Sequence, residues 1–263
     1  MSRALILMYH IVDTPRSQRE SKYCCTPQRF AEQMAYLRRS NLRPLSLPAL
    51  FEHLSMGNPF PDGSVAVTFD DGFVATYRNA LPILKKYNIP ATMFMLSDRL
   101  AGSNDWMHTR GFPERELMSQ GELLAMRDAG VCIGSHTRTH PRLTEVDASR
   151  LQDELAGSRE ILSKMLGEPV RFFAYPFGLL NAEVRSAVQM AGYDAACSTR
   201  SGFNRQDADR LALRRLEVYG SDPLWKFKQK LKFGMNDASL FYPLRYYAGR
   251  VAAKFGLSAS RST

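Results

Sequence analysis

The chain has 263 residues, 44% hydrophobic and 23% charged, which fits a soluble enzyme able to bury a full core. Its longest uninterrupted apolar run, Ala4 to Tyr9, is far too short to span a bilayer, and it lacks the long apolar region and small-residue cleavage site of a signal peptide. The 35 Lys and Arg exceed the 26 Asp and Glu by nine, but no nucleic-acid-binding motif accompanies that charge, so nucleic acid is not the expected partner.

The run from Ala4 reads as a buried strand with His10 at its carboxyl end. Thr26-Pro27 opens a helix as N-cap and first position, with Phe30, Met34 and Leu37 on one face. Val65 to Phe69 is a second buried strand and leads into Asp70-Asp71-Gly72. A helix is expected over Asn79 to Tyr87 despite Pro82, followed by a strand from Ala91 to Met95. The stretch from Ser97 to Glu116 is polar and broken by Gly102, Gly111 and Pro113, a loop length that is often functional. Within it Trp106 is suited to stacking on a sugar ring and equally to anchoring the loop, while His108 reads as a surface residue.

Ser119-Gln-Gly-Glu122 is a capping box that opens a helix to Ala129. It feeds a strand from Val131 to Gly134 that ends in Ser135-His-Thr-Arg-Thr-His140. A longer amphipathic helix is expected from Asp147 to Leu166, then a strand from Arg171 to Tyr175 and a helix from Ala182 to Ala191. Strand and helix alternate without a linker, which argues for one α/β unit with polar groups after its strands. A barrel and an open doubly wound sheet share that pattern, and periodicity does not separate them.

Charge concentrates at the end of the chain, where Asp222 to Thr263 holds eight Lys or Arg and two Asp or Glu, a net of +6. Asp222-Pro223 starts a helix ending at Gly234, with Leu224, Phe227 and Leu231 apolar and four lysines interleaved; the alternation from Trp225 to Phe233 leaves a strand open. Pro243 opens a second helix, with Leu244, Tyr247, Val251 and Phe255 beside Arg245, Arg250 and Lys254. Such a basic amphipathic end suits an anionic membrane surface, and equally a helix packed on the main unit with a solvated rim. The division expected is 1–221 for the main unit and 222–263 for the basic helical extension. Cys24 and Cys25 are adjacent, Cys132 and Cys197 lie in apolar runs, and there is no Cys-x-x-Cys pair, so a thiolate metal site is not indicated. A cytoplasmic protein is expected, with contact at the inner membrane face open to its basic end.

Asp70, Asp71, His136 and His140 supply one more carboxylate than a three-ligand metal site needs. One carboxylate and two imidazoles holding a divalent ion leave a position for water, and the spare carboxylate is then available to take that water's proton. In an arbitrary protein, Asp-Asp-Gly after a strand is more often a turn and His-x3-His a surface pair. The two motifs together, each after a buried strand, favour a metal-assisted hydrolase.

Thr68-Phe-Asp-Asp-Gly72 and Ser135-His-Thr-Arg-Thr-His140 resemble the first two motifs of the polysaccharide deacetylases, the NodB-like carbohydrate esterase family 4, and Phe173-Ala-Tyr-Pro-Phe-Gly178 resembles the groove-forming third motif. The resemblance runs from about Leu5 to Val218. It implies a distorted (β/α) barrel with fewer than eight regular repeats, N-deacetylation of a glycan, Asp70 as general base, and Asp71, His136 and His140 as metal ligands. It further implies substrate contacts at Tyr175, Pro176 and Phe177, with an oxyanion donor in the backbone N–H near Tyr175. Zinc suits the ligand set best, and cobalt, nickel, manganese or iron fit similar ligands.

Two positions depart from that family's pattern. Ala174 stands where an arginine is usual, and Leu211-Ala-Leu-Arg-Arg-Leu216 has no histidine where a late catalytic acid is usual. Met8-Tyr-His10 resembles the branch acting on poly-N-acetylglucosamine, whose acid histidine precedes the Asp-Asp motif, so His10 is the candidate acid. The expected activity is removal of N-acetyl groups from an N-acetylhexosamine polysaccharide in exopolysaccharide or cell-envelope biosynthesis. The alternatives are a deacylase of a lipid-linked sugar and a non-catalytic glycan-binding relic.

Overall fold

A computed structural model describes residues 2–239 of the chain. Its elements in chain order are strands β1 (Leu5–Tyr9), β2 (Ile11–Val12) and β3 (Cys24–Cys25), helix α1 (Pro27–Arg39), strand β4 (Arg43–Pro44), helix α2 (Leu47–Ser55), strand β5 (Ser64–Phe69), helix α3 (Val74–Tyr87) and strand β6 (Ala91–Met95). There follow α4 (Gln120–Asp128), β7 (Cys132–Ser135), α5 (Ala148–Gln152), α6 (Ser158–Leu166), β8 (Phe172–Ala174), α7 (Ala182–Met190), β9 (Ala195–Cys197), β10 (Leu216–Glu217) and α8 (Leu224–Phe233).

Local chemistry explains most of these boundaries. Thr26 caps α1 by accepting from the Arg29 N–H, with Pro27 in the first turn, and the Ser119/Glu122 capping box is present at α4. Helix α3 begins at Val74, earlier than the expected Asn79, because buried Val74 and Thr76 pack its first turn and the Thr76 hydroxyl donates to the His10 carbonyl. The long helix ending at Leu166 contains a π-turn, Asp153–Gly157, between α5 and α6. The segment from Trp225 to Phe233 is helical, with Gly234 in the left-handed conformation closing it. The second helix expected from Pro243 lies outside the described residues. Among those described, no helix is long and apolar enough to cross a membrane.

Seven strands form a parallel sheet in the order β10-β1-β5-β6-β7-β8-β9, with β4 beside the start of β5. The segment leading into β10 joins the two edges: Leu213 bridges to Cys197 of β9, and Leu216 pairs with Leu7 of β1. The sheet is thus a distorted (β/α) barrel with fewer than eight regular repeats.

Alternation along the strands sorts the core into two clusters. Leu5, Leu7 and Tyr9 of β1 and Val65, Val67 and Phe69 of β5 pack outward beneath the helices. Ile6, Ala66, Phe94, Phe172 and Ala174 fill the interior, with Leu47, Leu50 and Phe51 of α2 packed against them. Gly134 is required in β7, because a Cβ there would stand 2.5 Å from the Phe94 ring. The same parity carries His10, Asp70 and His136, each just past a strand end, toward the interior at the carboxyl edge. Cys24, Cys25 and Cys197 are buried and all four cysteines are free, with burial pushing the Cys197 thiol up to about 12.

Candidate active site

At the carboxyl ends of β1, β5 and β7, a cavity of about 380 Å³ is lined by His10, Asp70, Asp71, His136 and His140, with Trp106, Phe112 and Phe177 among its walls. Backbone strain concentrates here. Six described non-glycine residues have positive φ, and four of them, Asp71 (73°), Thr137 (77°), His140 (64°) and Phe177 (57°), belong to the site's loops. The conformation costs an L-residue roughly 1–2 kcal/mol, and its retention at four positions in one site marks geometry held for a purpose. Gly72 also has positive φ, so the Asp-Asp-Gly segment is both a turn and part of the site.

Asp71, His136 and His140 form a buried set whose donor atoms lie within 4.8 Å of one another. The His136 Nδ1–H donates to the Ala174 carbonyl at 2.7 Å, which turns the Nε2 lone pair toward Asp71 Oδ1, 3.5 Å away. His140 Nε2 lies 3.4 Å from the same oxygen. Two atoms each about 2.1 Å from one tetrahedral ion stand roughly 3.4 Å apart, so the spacing fits a divalent ion. Burial lowers the pKa of His136 to about 4 and lowers that of His140 as well, keeping both imidazoles neutral, as ligands must be. Without an ion, burial and then the charge of Asp70 push the Asp71 carboxyl up, and its Oδ1 is buried with no hydrogen-bond partner. A neutral imidazole pair and an orphaned carboxylate oxygen are the environment a cation completes.

Asp70 is buried and held by Arg215, whose Nη1 donates to Oδ1 at 2.7 Å and whose Nη2 donates to Oδ2 at 2.8 Å. Burial alone would raise this carboxyl, but the Arg215 charge, His136 and the guanidinium hydrogen bonds outweigh it and bring the pKa down to about 2. Asp70 is therefore ionised at neutral pH. Arg215 was not singled out in the sequence, although it shares with Leu213 the parity that faces the barrel interior. It brings a guanidinium to this centre while position 174, where the resembled family usually carries an arginine, holds a buried alanine.

His10 borders the cavity, its ring edge-on to Tyr23 at 5.2 Å. Burial lowers its pKa, and the Asp70 carboxylate opposes that shift. Trp106, on a short 3₁₀ turn from Asp105 to Arg110, stacks on the His140 ring at 5.0 Å, and Phe177 meets the same ring edge-on at 4.5 Å. The indole thus covers His140, a candidate metal ligand, as well as lining the cavity.

Tyr175 borders the cavity, but the side chains of Tyr175 and Pro176 are both buried. Parity from Phe172 sends the Tyr175 side chain outward into the core, where its hydroxyl donates to the Leu211 carbonyl at 2.8 Å. Its own N–H donates to the Cys197 carbonyl at 3.1 Å, so an oxyanion donor near Tyr175 would have to be a neighbouring N–H. Pro176 is buried, and of that segment Phe177 presents its ring to the cavity.

Glu154, inside the π-turn, supports the histidine loop from beneath. Its buried carboxylate accepts from the N–H groups of Arg138 and Thr139, at 2.9 and 3.0 Å, and from the Thr139 hydroxyl at 2.5 Å. A π-turn re-aims a helix face, and such turns occur often at functional sites. Nothing in the helical pattern of the sequence singled Glu154 out.

The sequence pattern of the family described as polysaccharide deacetylase matches residues 57–196, which hold Asp70, Asp71, His136 and His140 but neither His10 nor Arg215. The poly-beta-1,6-N-acetyl-D-glucosamine N-deacetylase of Staphylococcus epidermidis is 28% identical over 211 residues, 77% of this chain and 70% of that protein. The solved structure of IcaB from Ammonifex degensii superposes with a TM-score of 0.73 at 25% identity, over 89% of this chain and 97% of that one. BC0361, a polysaccharide deacetylase from Bacillus cereus, gives a TM-score of 0.74 at 25% identity over 88% of this chain and 69% of its own.

Proposed function

The chain belongs to the polysaccharide deacetylase family, and on that premise we propose that it hydrolyses the acetamide groups of an N-acetylhexosamine polymer in exopolysaccharide or cell-envelope biosynthesis, with a divalent ion, zinc first, held by Asp71, His136 and His140. One observation carries this reading: a three-donor cluster shares its cavity with a second carboxylate kept ionised by Arg215. The Staphylococcus epidermidis relative, named for poly-β-1,6-N-acetylglucosamine, supports that polymer as the first substrate to test.

An ion in this set supplies Lewis-acid activation of water and charge stabilisation for an oxyanion. Asp70 accepts the proton of the attacking water: Arg215 engages one lone pair on each of its oxygens and leaves others free. His10 gives a proton to the departing amine nitrogen, which leaves poorly without one. Trp106 and Phe177 shield His140 from water, and the Phe177 and Phe112 rings are aromatic walls of the cavity against which a sugar can pack. A second reading, deacylation of a lipid-linked sugar, is favoured by Arg110, which lines the cavity with its guanidinium over the Phe112 and Phe177 rings and has no carboxylate partner among the described residues.

Acetate release from poly-β-1,6-N-acetylglucosamine and its oligomers, measured beside metal content, tests the proposal. Asp70→Asn is expected to abolish release while retaining metal, and His136→Ala to lose both. Activity confined to a lipid-linked acetylated sugar selects the second reading. A metal-loaded protein with no release from any of these substrates refutes both and leaves a glycan-binding relic.

A further inference from the structure

We propose that the outward face of α8 is a docking surface for an anionic lipid bilayer. The helix is divided by its own geometry. Phe227 and Leu231 are buried, Phe227 edge-on to Tyr36 of α1 at 6.4 Å. Lys230 is buried too, its Nζ 2.5 Å from Asp222 and donating to the Glu217 carbonyl at 2.9 Å. At 3.6 residues per turn, Trp225, Lys228 and Lys232 share the opposite face, and all three are exposed. Lys226 stands beside them, its Nζ 5.6 Å from the indole ring.

Charge complementarity selects the occupant. Helix α8 contains no acidic residue, and α1, packed against it, ends in exposed Arg38 and Arg39. Trp225, 41% exposed, is one of three large hydrophobic side chains left open among the described residues, with the Lys226 ammonium beside its ring and Lys228 reaching over the Tyr36 ring of α1. An indole on a lysine-rich helix face is suited to the headgroup level of a bilayer, where the ring inserts and the cations meet lipid phosphates. Single-stranded nucleic acid is bound by charged grooves with several stacking aromatics, whereas α8 presents one indole on a convex face. The tie from Lys230 to Glu217, which lines the catalytic cavity, would fix the position of that cavity relative to a bound membrane.

Co-sedimentation of the full chain with vesicles tests this without substrate, so the result is independent of the deacetylase reading. Binding is expected to vesicles of phosphatidylglycerol mixed equally with phosphatidylcholine and not to phosphatidylcholine alone, weakening as salt is raised. Tryptophan emission should shift to the blue on binding, and Trp225→Phe should remove that shift. At roughly fivefold per lysine, the combined K226Q, K228Q and K232Q variant should lose on the order of 100-fold in partitioning. Binding unchanged in that variant overturns the assignment to α8. So does an absence of binding to anionic vesicles, whether or not a single-stranded oligonucleotide is retained.

Discussion

Arg215 and Asp70 stand 145 positions apart in the chain and meet through two parallel hydrogen bonds in the barrel interior. Both side chains are essentially without solvent, 0% and 3% exposed. Arg215→Lys replaces a planar fork by a point charge, so the carboxylate loses its fixed orientation. Turnover is expected to fall on the order of 100-fold or more, with metal content retained. Arg215→Met leaves Asp70 buried and unpaired, and about 3–5 kcal/mol of stability should be lost. Steady-state kinetics and thermal melts check the pair, and a Met variant as stable as wild type would contradict the buried ion pair.

His10 is tested through the leaving group. If it protonates the amine, His10→Ala should slow acetamide hydrolysis by roughly 10²–10⁴-fold. An activated phenyl acetate expels a phenolate that needs no proton, so the same variant should hydrolyse it at close to the wild-type rate. Equal losses on both substrates would mean that His10 shapes the cavity instead of donating a proton.

Glu154 is expected to act on metal affinity rather than on the reacting atoms. Glu154→Gln keeps the size but weakens acceptance from the Arg138 and Thr139 N–H groups, loosening the loop between His136 and His140. Outer supports of this kind typically change metal affinity by 10–100-fold. Competition titrations with a chelator should show that loss, and saturating metal should restore most of the turnover. A variant with unchanged affinity would make the carboxylate a folding contact only.

The parts of this site that could be read in sequence are those close behind a strand end, by parity for His10, Asp70 and His136 and by the turns that follow for Asp71 and His140. Asp70, Asp71 and His136 follow buried strands directly, His10 ends another, and His140 comes back from a short loop after β7, so their convergence needed parallel neighbours in one sheet and one tight loop. Tyr175 shows the limit: it sits just past β8, but the alternation that turns Ala174 inward turns Tyr175 into the core. Arg215 depends on a segment that crosses from β9 to β1, a closure no local pattern encodes. Trp106 was visible as an aromatic in a long loop, but its stacking on His140 depends on how that loop folds over the barrel. The start of α3 at Val74 is not legible in the local pattern, because its first turn is held by the Thr76 bond to the His10 carbonyl, a tertiary contact.

That loop's attachment gives a pH-dependent stability. Arg115 donates to Glu20 through Nε at 3.0 Å and Nη2 at 2.8 Å, and to Asp13 through Nη1 at 2.6 Å, joining the Trp106 loop to the segment before β3. Burial works to raise the Glu20 carboxyl, but the Arg115 and Arg16 hydrogen bonds and the Arg115 charge hold it below its ordinary 4.5. A carboxyl depressed in the folded state stabilises fully above its unfolded pKa, and that contribution is lost as pH falls through the folded one. Glu20→Gln removes the titration and strips Arg115 of its more buried partner, so at neutral pH the variant should be less stable by about 3 kcal/mol. Urea melts from about pH 6 down to about pH 3 should show the wild type losing stability faster than Glu20→Gln, the two curves converging at the acid end. Parallel curves would mean that the Glu20 pKa is the same folded and unfolded, and that the staple over the cavity rests on Asp13 alone.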